Sequence, residues 1–334
     1  MPTDTLLGAM DNCGLTGESW GAWRVVAQVL DGQGAALTPE EVALFTRCTG
    51  RDHPPTAPPS EAYLICGRRS GKTRFAGACA VRAASKRYVL APGEQALVAL
   101  AASDREQARV ALEYATAPFR DAGELRGLVE RRSTWEALRA LVSRETRWGL
   151  DLQTRTSIQV HTAHFGRVRG RTFALALADE VAFWQDESGA NPASEVLGAI
   201  RPGLSTLRGQ LLCITTPYSK SGYVWDTFAR YWGQTDARVF VWRAASKTMN
   251  PLLDEAMIAE ALERDPVGAR SEWLGEFRDD VAAFISREAI ARAVIAGRRE
   301  DLAPRLDEGG RLPRLRRPGL GRGAGRRDAR DRAR

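Results

Sequence analysis

This chain of 334 residues has few histidines, few lysines and no paired cysteines. His161 and His164 stand i,i+3, but no carboxylate or cysteine completes a metal set around them, so a structural role is expected. The five cysteines (Cys13, Cys48, Cys66, Cys79 and Cys213) are odd in number and form no C-x-x-C pair. That argues against a zinc site or a disulfide framework and for reduced thiols of a cytoplasmic protein. No apolar run approaches the roughly 18 residues of a membrane span. The opening Met1-Pro2-Thr3-Asp4 lacks the basic and apolar regions of a signal peptide, so neither export nor a membrane partner is expected. The G-x-S-x-G elbow of a Ser-His-Asp hydrolase is missing as well. Lysine is limited to Lys72, Lys86, Lys220 and Lys247 against 44 arginines, a bias that GC-rich codons produce.

The net charge of +7 is misleading. Residues 310–334 hold ten Arg and two Asp, so the rest of the chain is close to neutral. Overall charge is therefore no argument for nucleic-acid binding. This last segment is almost entirely Arg, Gly, Leu, Pro, Ala and Asp without periodicity, which predicts a disordered basic tail.

Residues 1–59 read as a helical segment and then turns. Trp23, Val26, Val29 and Leu30 recur at helical spacing. Thr38-Pro39-Glu40-Glu41 has the cap, the first-turn proline and the N3 glutamate of a capping box. Pro54, Pro55, Pro58 and Pro59 follow as a stiff connector. From residue 60 to 243 short apolar runs recur at Ala62–Cys66, Ala96–Ala102, Ser157–His161, Phe173–Ala178, Gln210–Thr215 and Val239–Trp242. Helix-like stretches such as Arg74–Ala84 and Arg105–Tyr114 lie between them. This alternation predicts an α/β domain with a mostly parallel sheet flanked by helices. Residues 251–277, within a segment 244–285, read as helical with Leu253, Met257, Ile258, Ala261 and Leu262 on one face.

Three strand ends carry chemistry. The strand Ala62–Cys66 runs into Gly67-Arg68-Arg69-Ser70-Gly71-Lys72-Thr73 and then a helix, the context a phosphate loop requires. Backbone N–H groups of Gly67, Arg68, Arg69, Ser70 and Gly71 would curl round a β-phosphate. Lys72 would reach the β/γ-phosphates of ATP, and the Thr73 hydroxyl would ligate Mg²⁺. Cys66 replaces the usual first glycine, so the loop is a variant. The strand Phe173–Ala178 ends in Asp179-Glu180, where Asp179 would hold Mg²⁺ through water and Glu180 would act as general base. The strand Leu211–Ile214 ends in Thr215-Thr216-Pro217, whose hydroxyls would sense the γ-phosphate. The plain alternatives are a turn that happens to contain Gly-Lys-Thr, a solvated acidic turn and an ordinary strand terminus. Trp20, Trp23 and Arg24 would either flank an adenine or pack in the core. Arg167, Arg169 and Arg171 would touch DNA or face solvent.

These elements in this order resemble the large subunit of tailed-phage terminases, the motors that package DNA into proheads. The likeness covers residues 15–285. It includes the arginine ahead of Gly-Lys-Thr (Arg68), Arg169-Gly170 before the acidic strand, Asn250-Pro251, and Glu272-Trp273-Leu274-Gly275-Glu276-Phe277-Arg278-Asp279-Asp280. The resemblance implies a RecA/ASCE-like P-loop NTPase core at 60–243, preceded by an adenine-side segment at 1–59 and followed by a small helical lid at 244–285. It implies an ATPase in which Lys72, Glu180 and Arg68 are catalytic, with Arg68 on the γ-phosphate in the transition state. Thr215 and Thr216 would couple hydrolysis to the lid. It also implies double-stranded DNA, a portal protein, a terminase small subunit and a homo-oligomeric ring as partners, in the cytoplasm of a bacterial host. Such subunits normally continue into an RNase H-like nuclease. Residues 286–334 instead read as a truncated or frameshifted start of that domain, or as a genuine basic arm, so nuclease activity is expected to be absent. A helicase-type translocase and a non-catalytic prophage remnant are the rival functions.

Overall fold

The six apolar runs become the parallel strands of one sheet. The computed structural model describes residues 4–120, 132–162, 170–185, 191–235 and 238–279. They belong to one compact unit, Met1–Val281. The strands are β1 (Glu61–Cys66), β2 (Ala96–Ala102), β3 (Val142–Thr146), β4 (Gly149–Leu152), β5 (Thr156–Thr162), β6 (Thr172–Asp179), β7 (Gln210–Thr215) and β8 (Val239–Ala244). Their order across the sheet is β3-β4-β5-β2-β6-β7-β1-β8. From β5 to β8 all pairings are parallel, and β3 and β4 add an antiparallel hairpin at one edge. This is the mostly parallel α/β sheet flanked by helices that the sequence predicts.

Strands buried on both faces read as near-continuous apolar runs, as β2 and the middles of β1, β6 and β7 do. Along β1, Ala62, Leu64 and Cys66 face one core while Tyr63 and Ile65 face the other. The first core is covered by α1 (Leu6–Asn12), α2 (Gly21–Leu30), α4 (Lys72–Ser85) and α5 (Arg105–Thr116), with α3 (Pro39–Thr49) against β8. The second is covered by α7 (Ala193–Leu204) and α8 (Tyr223–Tyr231). Each fully buried Leu or Ile contributes about 1.5–3 kcal/mol by leaving water. The capping box starts α3 as the sequence predicts: Glu41 N–H donates to Thr38 Oγ1 at 3.3 Å, and Thr38 N–H to Glu41 Oε2 at 2.9 Å.

Some elements differ from expectation. The β3–β4 hairpin was not predicted, because Ser143-Arg144-Glu145-Thr146 offers no apolar run and most of β3 is exposed. The helix α6 (Arg132–Ala140) precedes it. Residues 251–277 are two helices, α10 (Glu255–Arg264) and α11 (Pro266–Leu274), following the short α9 (Ser246–Met249). Asp265 breaks the run and caps α11 by accepting from Gly268 N–H at 2.9 Å. Met257, expected on the apolar face, is 40% exposed, whereas Ile258 is buried. The helix phase turns about Ile258, Ala261 and Leu262. His164, Arg167, Arg169 and the tail with its nuclease and frameshift expectations lie outside the described residues.

Candidate active site

The sheet register brings three sequence-distant motifs to one level. Ile65 of β1 pairs with Thr215 of β7, and Ile214 pairs with Asp179 of β6. The phosphate loop, Thr216 and Glu180 therefore leave adjacent strands side by side, at the carboxyl ends where α/β sheets bind ligands.

The loop itself is held on several sides. Cys66 remains in β1, paired with Ala244, and its carbonyl and the next one point at Lys72. An extended residue needs no glycine, which explains the variant motif. Burial pushes the Cys66 thiol up to about 12. Gly67 is required by close approach: a Cβ there would lie 2.8 Å from the Glu272 carbonyl oxygen and against the Ser246 hydroxyl. Gly71 caps α4 at φ 95°, and a Cβ would meet the Trp20 ring at 2.9 Å. Trp23 is fully buried, stacks on Phe75 at 4.5 Å and donates its indole N–H to the Ser70 carbonyl at 2.6 Å. Trp20 is buried as well, and Arg24 pairs with Asp11 at 2.6 Å. The tryptophans thus pack beneath the loop. Asn250 Nδ2 donates to the Arg69 carbonyl at 3.3 Å, and Arg69 sits at φ 59°.

Lys72 is 7% exposed and uses all three ammonium protons. It donates to the carbonyls of Cys66 at 3.0 Å and Gly67 at 3.1 Å, and to Thr216 Oγ1 at 3.0 Å. Glu180 Oε1 lies 3.9 Å from the same nitrogen. Glu180 Oε2 accepts from Thr216 N–H at 3.1 Å and from the Thr215 hydroxyl at 3.3 Å. Because successive residues at a strand end point oppositely, Thr215 serves Glu180 and Thr216 serves Lys72. Glu180 is at φ 49°, ψ 44°, left-handed for a non-glycine residue. Such a conformation costs about 1–3 kcal/mol and clusters at functional sites.

Asp179 is 4% exposed, and its Oδ1 has no hydrogen-bond partner. Burial first, and the Glu180 charge second, raise its pKa to about 7, while Lys72 pulls the other way. The backbone is pinned by Trp184, whose indole N–H donates to the Asp179 carbonyl at 2.8 Å. Ser70 Oγ is likewise buried without a partner. Thr73 is half-buried in the first turn of α4. Among the described residues no cluster of three or more His, Cys, Asp or Glu is arranged to hold a metal. An orphaned buried carboxylate oxygen suits a hard cation that keeps most of its water and takes further oxygens from a phosphate.

Arg68 is placed differently from the other predicted residues. Its guanidinium is 61% exposed and pairs with Glu272 of α11 at 3.2 Å, while its N–H donates to the Glu272 carbonyl at 2.6 Å. It lines one hollow together with Glu180, Thr216, Gln107, Tyr218 and Glu272. The sequence reading did not identify Gln107, Phe183, Tyr218 or Ser271 as site residues. Phe183 and Tyr218 are partly exposed rings 5.1 Å apart, and Arg278 lies 5.8 Å from the Tyr218 ring. Only the run from Glu272 to Asp280 hinted at this wall, through the family likeness.

No family model matches the chain, and no curated protein matches it. Several solved structures do. The Thermus phage P74-26 large terminase ATPase domain is 21% identical over 65% of this chain and 88% of that one, at a TM-score of 0.46. The HK97 bacteriophage large terminase is 19% identical over 80% of this chain and 58% of that one, at 0.49. A large terminase from a thermophilic bacteriophage, in complex with ADP, is 14% identical over 76% and 53%, at 0.45. These figures assign no residue a role, and the chemistry rests on the geometry above. Over most of its length the chain is similar to phage large terminase ATPase domains.

Proposed function

We propose that this chain is the ATP-hydrolysing subunit of a terminase-type motor that drives double-stranded DNA into a prohead. The observation that carries this is the meeting of Lys72, Thr216 and Glu180 at the ends of β1, β7 and β6. ATP would lie against Gly67–Thr73, with phosphate oxygens replacing the neutral carbonyls that now accept from Lys72. Charged acceptors bind an ammonium more strongly than carbonyls do, so the exchange favours nucleotide. Thr73 and Asp179 would hold Mg²⁺, and the raised pKa of Asp179 is the cost that a bound cation would remove. Mg²⁺, when bound, would offset charge on the β- and γ-phosphate oxygens. Glu180, held through Oε2 by Thr216 N–H, would orient the attacking water with its other carboxylate oxygen. Arg68 would exchange Glu272 for the γ-phosphate.

The coupling step has a physical route. Beyond Thr215-Thr216, the Pro217 carbonyl accepts from Ser271 of α11, and residues 218–220 hydrogen-bond with Arg278. A change at the phosphates would therefore pull on the helical segment that follows the core. DNA, the portal, the small subunit and the ring enter from the sequence resemblance.

The test is steady-state ATP hydrolysis with and without double-stranded DNA, for the wild type, Lys72→Ala and Glu180→Gln. Wild-type turnover that rises with duplex DNA and falls by at least about 10²-fold in both variants is the expected result. Turnover unchanged by either substitution would put the site elsewhere. ATP binding without turnover would favour the non-catalytic remnant. Stimulation by single strands with strand separation would favour a helicase.

A further inference from the structure

The C-terminal turn of α11 grips the candidate site at two points, which the coupling route above uses only to carry movement outward. Ser271 is 3% exposed, and its hydroxyl donates to the Pro217 carbonyl at 2.6 Å. Its neighbour Glu272 accepts on its own carbonyl from Arg68 N–H at 2.6 Å. A serine inside a helix ordinarily bonds back to the carbonyl four residues earlier. Here the hydroxyl points out of the helix to a residue 54 positions away.

Pro217 is where such a contact has leverage. The β1–β7 ladder ends at Ile65 and Thr215, so pairing with β1 no longer fixes the chain beyond that point. Proline has no N–H with which to anchor itself, its φ is locked near −65°, and it restricts the residue before it to extended conformations. With the proline ring restricting both Pro217 and Thr216, holding the Pro217 carbonyl limits how far the Thr216 backbone can turn. Thr216 N–H is the donor that aims Glu180 Oε2, and Thr216 Oγ1 accepts from Lys72.

We infer that Ser271 is a positioning residue for Glu180, acting through Pro217 and Thr216. This rests on Glu180 being the general base of the proposed ATPase. The contact lets α11 set the timing of water activation: while Ser271 holds Pro217, Thr216 presents its N–H to Glu180, and when α11 shifts the carboxylate loses its alignment. Glu272 ties the same turn to the phosphate loop, so one helix end coordinates both sides of the site.

The experiment compares wild type, Ser271→Ala, Ser271→Cys, Ser271→Thr, Glu180→Gln and the double variant Ser271→Ala/Glu180→Gln. Steady-state kcat, KM for ATP and the thermal unfolding midpoint are measured for each. Losing one hydrogen bond of ordinary strength should lower kcat about tenfold in Ser271→Ala. KM should stay within about twofold, as expected when only the activated state loses support. Ser271→Cys preserves volume with a weak donor and should behave like Ser271→Ala, which covers the case of an unstable alanine variant. Ser271→Thr restores the hydroxyl and should recover most of the turnover. In the Glu180→Gln background, Ser271→Ala should cause no further loss. Unchanged kcat in both Ser271→Ala and Ser271→Cys would overturn the inference while leaving the ATPase intact. An equal loss in the Glu180→Gln background would also overturn it, because Ser271 would then act independently of the base. Turnover insensitive to Glu180→Gln would instead overturn the assignment of Glu180 as the base, and the inference with it.

Discussion

The two ends of β1 hold similar polar groups and treat them in opposite ways. At the N-terminal end, Glu61 accepts from Arg201 at 2.7 and 2.9 Å. Tyr63 and Tyr223 share a hydrogen bond at 2.6 Å, and Arg201 also donates to Tyr223 at 2.8 Å. Every group there has a partner, and burial of the phenol raises the Tyr63 pKa far beyond its usual range. At the C-terminal end, Asp179 and Ser70 each bury an oxygen without a partner, Glu180 and Arg69 adopt left-handed backbones, and Lys72 is held by neutral acceptors. A satisfied network stabilises a fold, whereas unsatisfied buried groups cost free energy that a ligand completing them would recover. The same strand thus anchors the domain at one end and borders the candidate site at the other.

Substitutions should separate the two ends cleanly. The largest effect is on turnover: Glu180→Gln should lower kcat by about 10²–10⁴ while the unfolding midpoint in urea stays put. If that midpoint fell instead, the carboxylate would be part of the scaffold and the contrast would fail. Next comes Asp179. Its folded pKa lies above its unfolded value, so the folded state binds the extra proton between about pH 4 and 7. Its contribution to stability is full below that window and is lost as pH rises through 7. Without nucleotide or Mg²⁺, Asp179→Asn should therefore be the more stable protein at pH 8, by up to about 4 kcal/mol. The advantage should fade toward pH 4, as urea titrations at the two pH values would reveal.

The opposite pattern belongs to the other end. Glu61→Gln should leave kcat within about twofold and cost roughly 2 kcal/mol of stability, from the weakened charge-assisted pair. That is less than a fully buried pair would lose, because Arg201 is 37% exposed. The smallest effect sharpens the boundary between scaffold and site. Trp23→Phe keeps a ring against Phe75 but removes the donor to the Ser70 carbonyl. It should cost about 1 kcal/mol and raise KM for ATP a few-fold. Titration with a fluorescent ATP analogue would read that shift directly.

The parallel strands were legible because burial on both faces demands continuous apolar runs, and β2 and β7 match their predicted spans. The β3–β4 hairpin was illegible for the converse reason: an exposed edge strand such as Ser143–Thr146 carries no burial signal. Asp179, Glu180, Thr215 and Thr216 were visible as polar residues ending apolar runs, and Lys72 through the glycine-containing loop between a strand and a helix. Ser271 was not, because a serine in a helical stretch looks the same whether it faces water or a carbonyl 54 residues away.

By itself the sequence determined the strand–loop–helix at Lys72, the acidic strand end and the hydroxyl pair, since local geometry and burial pattern dictate residue types over short spans. Only the tertiary structure decided that β7 lies between β1 and β6, which sets Thr216 between Lys72 and Glu180. It also decided that Arg68 is held by Glu272 and that α11 closes on Pro217. Strand order and helix docking are set by the best joint burial of all the elements, a sum over distant contacts that no local stretch of residues contains.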